Sequence, residues 1–256
     1  MSNTTSPRLV ALDLDGTLLN HQGQVTPRTR QAIAEAVARG IVVLPATGRP
    51  LSNLPPVVAQ LTGIRYAITS NGAAVWDLGT GAMSVFCDGR TYRDTVAMER
   101  FARRNARRGS TEARQPNDGR FTVVRDLTEW MSRHAHEVEK FCMFFDTAEQ
   151  AQAALPRFRA LAGAEVVQGS PDNIELTAQG VDKGTALLAL ADLLHIPREA
   201  TVAVGDSEND RAMLEKAGIA AVMANGMPHI QALADLVSTN DCDHDGVAEL
   251  FERLGL

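Results

Sequence analysis

The segment Arg8 to Leu14, RLVALDL, is a continuous apolar run broken by one carboxylate, Asp13. A run this long without polar alternation suits a strand buried on both faces, as in a parallel sheet covered by helices. The run passes at once into Asp15-Gly16-Thr17. An Asp-Gly turn at a strand end accounts for Asp15 and Gly16 by themselves. It does not account for Asp13, because an unpaired carboxylate in a buried strand destabilises the fold. Two carboxylates two residues apart point to one side of an extended chain. Their repulsion drives a proton onto one of them. A hard cation such as Mg²⁺ removes that cost, and its usual mode is one or two carboxylates plus a substrate phosphate.

Beyond this segment the chain alternates. Arg28 to Arg39 reads as a helix, with Ile33 and Val37 four apart and Gly40 as a C-terminal stop. Ile41 to Leu44 is a second buried strand, Leu51 to Leu61 a second helix, and Tyr66 to Thr69 a third strand. The rhythm changes near Asn71. Short strands around Val123, Met143 and Val166 mix with helical stretches at Arg93 to Arg108 and Thr147 to Leu161. Near Val181 the alternation resumes: helix Lys183 to Leu194, strand Thr201 to Val204, helix Asp210 to Ala217, strand Ala220 to Met223. A short helix around Ile230 and a last one from Val247 to Leu254 follow. The expected fold is a three-layer α/β/α, Rossmann-like core with a parallel sheet, built from 1–82 and 181–256, carrying an inserted α+β unit at 83–180. Such an insertion, about 100 residues long, is a normal size for an independent domain.

Ligands of open α/β sheets collect at the carboxyl ends of strands, and three more stretches stand there. Thr47-Gly48-Arg49 follows the second strand; its hydroxyl and glycine amide can hold a phosphate, although alone it reads as a helix cap. Lys183 opens a helix, where a cation opposes the macrodipole, so local stability does not explain it. A solvated lysine is the ordinary alternative. Gly205-Asp206-Ser207-Glu208-Asn209-Asp210 follows the strand TVAV. It reads either as a metal loop or as a polar loop capped by Asp210 ahead of a helix.

Composition narrows the function classes. The chain has 256 residues with 31 acidic and 25 basic side chains, a net charge of −6, which gives no support to general nucleic-acid binding. With 45% hydrophobic and 22% charged residues the bulk is globular rather than disordered. Cys87, Cys142 and Cys242 form no CxxC pair, so a disulfide framework is not expected and a reducing compartment is. The N-terminus MSNTTSPR lacks an apolar core, and no run of about 18 apolar residues occurs. The expected location is the cytoplasm, with no membrane partner.

Taken together, the four stretches resemble, in order, the four motifs of the haloacid dehalogenase phosphatase superfamily. The likeness is strongest to its Cof-type subfamily, whose cap (type IIB) is inserted after the third core strand. Ser70-Asn71-Gly72-Ala73, Asn173-Ile174-Glu175-Leu176, Asp182-Lys183-Gly184 and Asp245-Gly246-Val247-Ala248 extend the resemblance across the chain. It implies a phosphoric monoester hydrolase acting on small phosphorylated substrates, sugar phosphates being the expected class, beneath a mobile lid that sets specificity. By position, Asp13 is the implied nucleophile that forms a phosphoaspartate, and Asp15 the implied general acid and base. The Asp13 carboxylate, the Asp15 backbone carbonyl and Asp206 are the implied Mg²⁺ ligands, with Asp210 supporting them from outside. Thr47, Gly48 and Lys183 are implied to bind phosphoryl oxygens, and Asn209 to orient phosphate or Lys183.

Other features are weighed against this. Arg100, Arg103, Arg104, Arg107 and Arg108 form one basic stripe at helical spacing, read as a solvated face. Asp243-His244-Asp245-Gly246 reads as an N-cap of the last helix. His134 and His136 read as surface histidines, and Phe141, Phe144 and Phe145 as core of the inserted unit. Trp76 and Trp130 have no interleaved basic residues of the kind base stacking uses. P-loop, dinucleotide-fingerprint and GxSxG patterns are missing. The rival enzyme reading is a sugar phosphomutase on the same core; the rival from another class is a binding or regulatory module using the basic stripe. Oligomeric state is left open.

Overall fold

The computed structural model describes residues 6–78, 83–84, 91–94, 121–125, 127–134 and 138–256. In chain order the strands are β1 (Leu9–Leu12), β2 (Val42–Pro45), β3 (Tyr66–Thr69), β4 (Ala74–Asp77), β5 (Met83–Ser84), β6 (Thr91–Asp94) and β7 (Phe121–Val124). They continue with β8 (Phe141–Phe144), β9 (Ala164–Val167), β10 (Asn173–Ala178), β11 (Thr201–Gly205), β12 (Ile219–Val222) and β13 (Leu236–Val237). Two compact units result: Met1–Arg49 with Leu54–Val85 and Gly180–Leu256, and Pro50–Asn53 with Phe86–Gln179.

The first unit is built on a parallel sheet in the order β13-β12-β11-β1-β2. β1 lies in register between β11 and β2, with Val10 opposite Val202 on one side and Val43 on the other. Its apolar run is explained by burial on both faces. Val10 and Leu12 pack with Ile33 and Ala36 of the Pro27–Ala38 helix and Phe251 of the Gly246–Arg253 helix. Leu9 and Ala11 pack with Leu187 and Leu190 of the Lys183–Leu193 helix and Met213 of the Arg211–Lys216 helix. Beside β2, β3 joins through the Ala46–Ile68 bridge and opens a separate antiparallel sheet, β3-β4-β5.

The second unit is described by itself. β8-β10-β9 form an antiparallel sheet, backed by the Ala148–Arg159 helix through Leu155, Ile174 and Leu176 with Met143, Phe145 and Phe158. β6 and β7 pair in parallel. Among the described residues, no helix is long and apolar enough to cross a membrane.

Several local expectations are corrected. Leu51 to Leu61 is not one helix: a 3₁₀ turn, Leu51–Asn53, gives way to a short helix, Pro56–Ala59. Pro55 and Pro56 lack the amides a continuous helix needs and bias the preceding residues away from helical backbone. Arg93 and Asp94 lie on β6; the rest of the proposed 93–108 helix, with the basic stripe, falls outside the described residues. Leu127–His134 is an added helix, on which the His134 ring stacks on Trp130 at 4.4 Å. His136 lies outside the described residues. Phe141, expected in the core, is 41% exposed: it shares a strand face with Met143, which packs in the apolar cluster, but it is the first residue of β8.

One contact has a sign opposite to helix propensity. A Cβ on Gly184 would stand 2.2 Å from the Ala212 carbonyl oxygen. Glycine to alanine inside a helix normally stabilises by roughly 1 kcal/mol, but here the added methyl pries the Lys183–Leu193 and Arg211–Lys216 helices apart. Gly184→Ala is expected to destabilise by about 1–3 kcal/mol, as measured by urea unfolding; a rise in midpoint would show that the helices part without cost.

Candidate active site

Asp13 continues the alternation of Leu9 and Ala11, toward the sheet face covered by the helix that Lys183 opens. Its amide donates to the Val204 carbonyl at 2.9 Å, extending the β1–β11 ladder by one residue, and Asp13 itself is 4% exposed. Lys183 is wholly buried, so the solvated reading of this lysine is wrong. Its ammonium donates to Asp13 Oδ1 at 2.6 Å and to Asp210 Oδ1 at 2.7 Å. Burial works against that charge, but Asp13 and Asp210 outweigh it and hold the lysine pKa above its ordinary value.

The loop after β11 supplies the remaining acids. Asp210 Oδ2 accepts the amides of Asp206 and Ser207 at 2.9 and 3.0 Å, so both its oxygens are engaged. Asp206 Oδ1 accepts the Thr17 hydroxyl at 3.0 Å. Carboxylate oxygens of Asp13, Asp206 and Asp210 lie within 4.8 Å of one another. Gly16 fits this crowding, since its φ of +88° and the 2.8 Å that a Cβ would leave to Asp206 Oδ2 exclude a side chain. Asn225 Nδ2 then holds the Gly16 carbonyl at 2.7 Å.

Asp15 departs from the pairing read in the sequence. The chain turns after Leu14, and the Asp15 side chain is 58% exposed rather than buried beside Asp13. Arg49 clamps it from both sides, Nε at 2.8 Å and Nη2 at 2.6 Å. Local pattern names no partner for Arg49, although it stands beside Thr47 and Gly48 in the motif, and its cationic side chain there is the available signal. Thr47, 1% exposed, sits beyond β2 with its amide on the Ile68 carbonyl and its hydroxyl accepting the Arg49 amide. Asn209 accepts the Ser207 hydroxyl at 2.7 Å. Thus Asp13, Lys183, Asp206 and Asp210 are joined in one cluster. Asp15, Thr47, Gly48 and Asn209 stand on loops at the same carboxyl edge of β1, β2 and β11.

The donor chemistry suits a divalent cation. Three carboxylates face one ammonium, and every side-chain donor is oxygen, the preference of hard cations. Asp13 and Asp206 are the carboxylates that keep an oxygen outside the hydrogen bonds just described. Burial, then the charge of Asp210, raises the Asp13 pKa well above its ordinary value against the pull of Lys183. The same two causes push Asp206 up to about 7. The folded protein therefore keeps a proton on Asp206 that the unfolded chain, titrating near 3.8, has lost. That contribution to stability is complete below 3.8 and disappears as the pH rises through about 7. With chelator present, raising the pH through this window is expected to cost wild type stability relative to Asp206→Asn, in paired urea titrations. Parallel profiles would show that Asp206 titrates normally.

A second expectation concerns Lys183. Replacing it by methionine leaves Asp13 and Asp210 without their shared cation. Breaking a buried pair in this way costs about 3–5 kcal/mol at neutral pH, and the loss should shrink toward acid pH as Asp13 takes up a proton. Chemical denaturation at two pH values measures both.

Comparison with known proteins places the chain in a family. The sequence pattern of the haloacid dehalogenase-like hydrolases matches residues 10–85 and 93–251. The 5-amino-6-(5-phospho-D-ribitylamino)uracil phosphatase YcsE of Bacillus subtilis is 30% identical over 247 residues, covering 96% of this chain and 95% of its own. A solved haloacid dehalogenase-like hydrolase from B. subtilis superposes with a TM-score of 0.79 at 29% identity, over 96% of this chain and 99% of the other. The subclass IIB sugar phosphatase BT4131 shares the fold, with a TM-score of 0.73 at 22% identity over 97% and 99% of the two chains. The chain belongs to the haloacid dehalogenase-like hydrolases, as an enzyme of the phosphatase kind.

Proposed function

We propose that the chain is a Mg²⁺-dependent phosphatase that hydrolyses small phosphomonoesters, sugar phosphates among them, through a phosphoaspartate on Asp13. The observation that carries this reading is the buried Asp13 carboxylate, held by Lys183 and faced by Asp206 at the carboxyl edge of the parallel sheet. The Asp13 and Asp206 side chains with the Asp15 backbone carbonyl would hold Mg²⁺, and Asp210, occupied by Lys183 and two amides, supports them without ligating. When bound, the cation supplies positive charge that offsets the carboxylates and the transferring phosphoryl group.

Asp13 attacks phosphorus, and the ester oxygen leaves with a proton from Asp15. Asp15 then takes a proton from the water that attacks the phosphoaspartate, releasing phosphate and restoring Asp13. Lys183, the Thr47 hydroxyl and the Gly48 amide neutralise and align the phosphoryl oxygens, which is most of what phosphoryl transfer asks of a protein. Asn209 orients Lys183 or the phosphate. Arg49 holds both oxygens of the exposed Asp15 carboxylate, so the fork has to release at least one of them before Asp15 carries a proton to the leaving group. We assign choice of substrate to the inserted segment 83–180.

Asp13→Asn is expected to lower turnover of phosphomonoesters by roughly 10⁴-fold or more, as loss of a nucleophile does, and to abolish acid-stable ³²P labelling. Asp15→Asn is expected to cost about 10²–10⁴-fold. Assays with Mg²⁺ and with EDTA, scoring free phosphate against isomer formation from a hexose phosphate, test the reaction. Labelling and turnover that survive Asp13→Asn would overturn the proposal, and isomer without free phosphate would replace hydrolysis by a mutase.

A further inference from the structure

Away from the carboxylate cluster, three different donor side chains converge where the loop after β1 meets the turn before the last helix. His21 Nδ1 lies 2.6 Å from Asp243 Oδ2 and 3.9 Å from Cys242 Sγ, and one ligand atom from each residue lies within 4.8 Å of the others. From this geometry we propose a second cation site, formed by His21, Cys242 and Asp243, that takes a borderline-soft divalent ion of the Zn²⁺ class.

The donor set separates it from the first cluster. Nitrogen, sulfur and oxygen in one tight group suit Zn²⁺, with distances of about 2.0–2.3 Å to each, whereas Mg²⁺ avoids thiolate and keeps to oxygen. The site is built on both sides. The His21 amide donates to Asp243 Oδ1 at 2.9 Å, so loop and turn are already docked. On the other side, the Asp243 amide is held by Asp241 Oδ1 at 3.0 Å and the Cys242 amide by Asn225 Oδ1 at 3.1 Å. Cys242 is 4% exposed, and its thiol meets the ring of His21 rather than a hydrogen-bonding carbonyl. The imidazole, by contrast, is 70% exposed, which leaves an approach for the ion and for a water as fourth ligand.

Charge favours the same ion. Asp243, Asp241 and Asp206 place negative charge around the thiol, which a bound cation offsets. On binding, the thiol loses its proton to solvent, and the ring carries its proton on Nε2 so that Nδ1 faces the ion. The Asn225 side chain that holds Cys242 also holds the Gly16 carbonyl, so an ion here would brace the loop that follows Asp13.

The test uses the full chain, stripped with chelator and titrated with Co²⁺ as a spectroscopic stand-in for Zn²⁺. A thiolate-to-cobalt charge-transfer band is expected in the near ultraviolet, saturating at one equivalent and erased by Zn²⁺. The oxygen-only cluster at Asp13 and Asp206 can give no such band. The band should persist in a Cys87→Ser, Cys142→Ser double variant, vanish in Cys242→Ser and weaken in His21→Ala, an exposed position that folds whatever becomes of the buried one. Zn²⁺ should also raise the thermal midpoint of wild type by more than that of His21→Ala. Absence of the band in wild type, its survival in Cys242→Ser, or its indifference to His21→Ala would each overturn the site.

Discussion

A single ammonium holds the centre of this molecule. Lys183 is wholly buried between Asp13 and Asp210, and each partner belongs to a different stretch of chain. Without that cation, the carboxylates that end β1 and follow β11 would repel one another in a dry environment. With it, they are drawn to one edge of the sheet. The arrangement remains deliberately short of neutral. Three carboxylates share one positive charge, and the elevated proton affinities of Asp13 and Asp206 measure what is still unmet. A buried ion pair alone is poor evidence of stability, because desolvation offsets most of its attraction. A buried pair left with surplus negative charge is better explained by chemistry than by folding.

Much of this was legible in the residues. The apolar run around Leu9 to Leu12 reported burial on both faces because parallel strands beneath helices have no wet side, and the two packed clusters flanking β1 are that statement in three dimensions. Tyr66 to Thr69 was bounded to the residue, since a short apolar stretch between turns has few ways to slip. At Pro55 and Pro56 the apolar spacing suggests a helix that the missing amides forbid.

The site was legible in its inventory and less so in its geometry. Motif spacing named Asp13, Lys183, Asp206 and Asp210, and it is burial that distinguishes the lysine from a solvated one, which no local pattern encodes. The pairing of Asp15 with Arg49 joins residues 34 positions apart and depends on how the turn after Leu14 directs the chain, so it was beyond reach of periodicity. The same holds for Asp245. It stands ahead of the last helix as its sequence position suggests, but its backbone is left-handed, φ 65°, and its side chain makes no capping hydrogen bond.

The order of the central sheet carries a consequence for synthesis. β1 leaves the ribosome well before one of its two flanking neighbours, β11, which lies about 190 residues further along, beyond the whole inserted unit. Loop-closure entropy must be met before such distant partners reward the chain. β1 therefore emerges half paired, its carboxylate lacking its counter-ion, and the intervening unit can organise while that strand waits. The acidic cluster is complete only after β11 and the loop that follows it have been made.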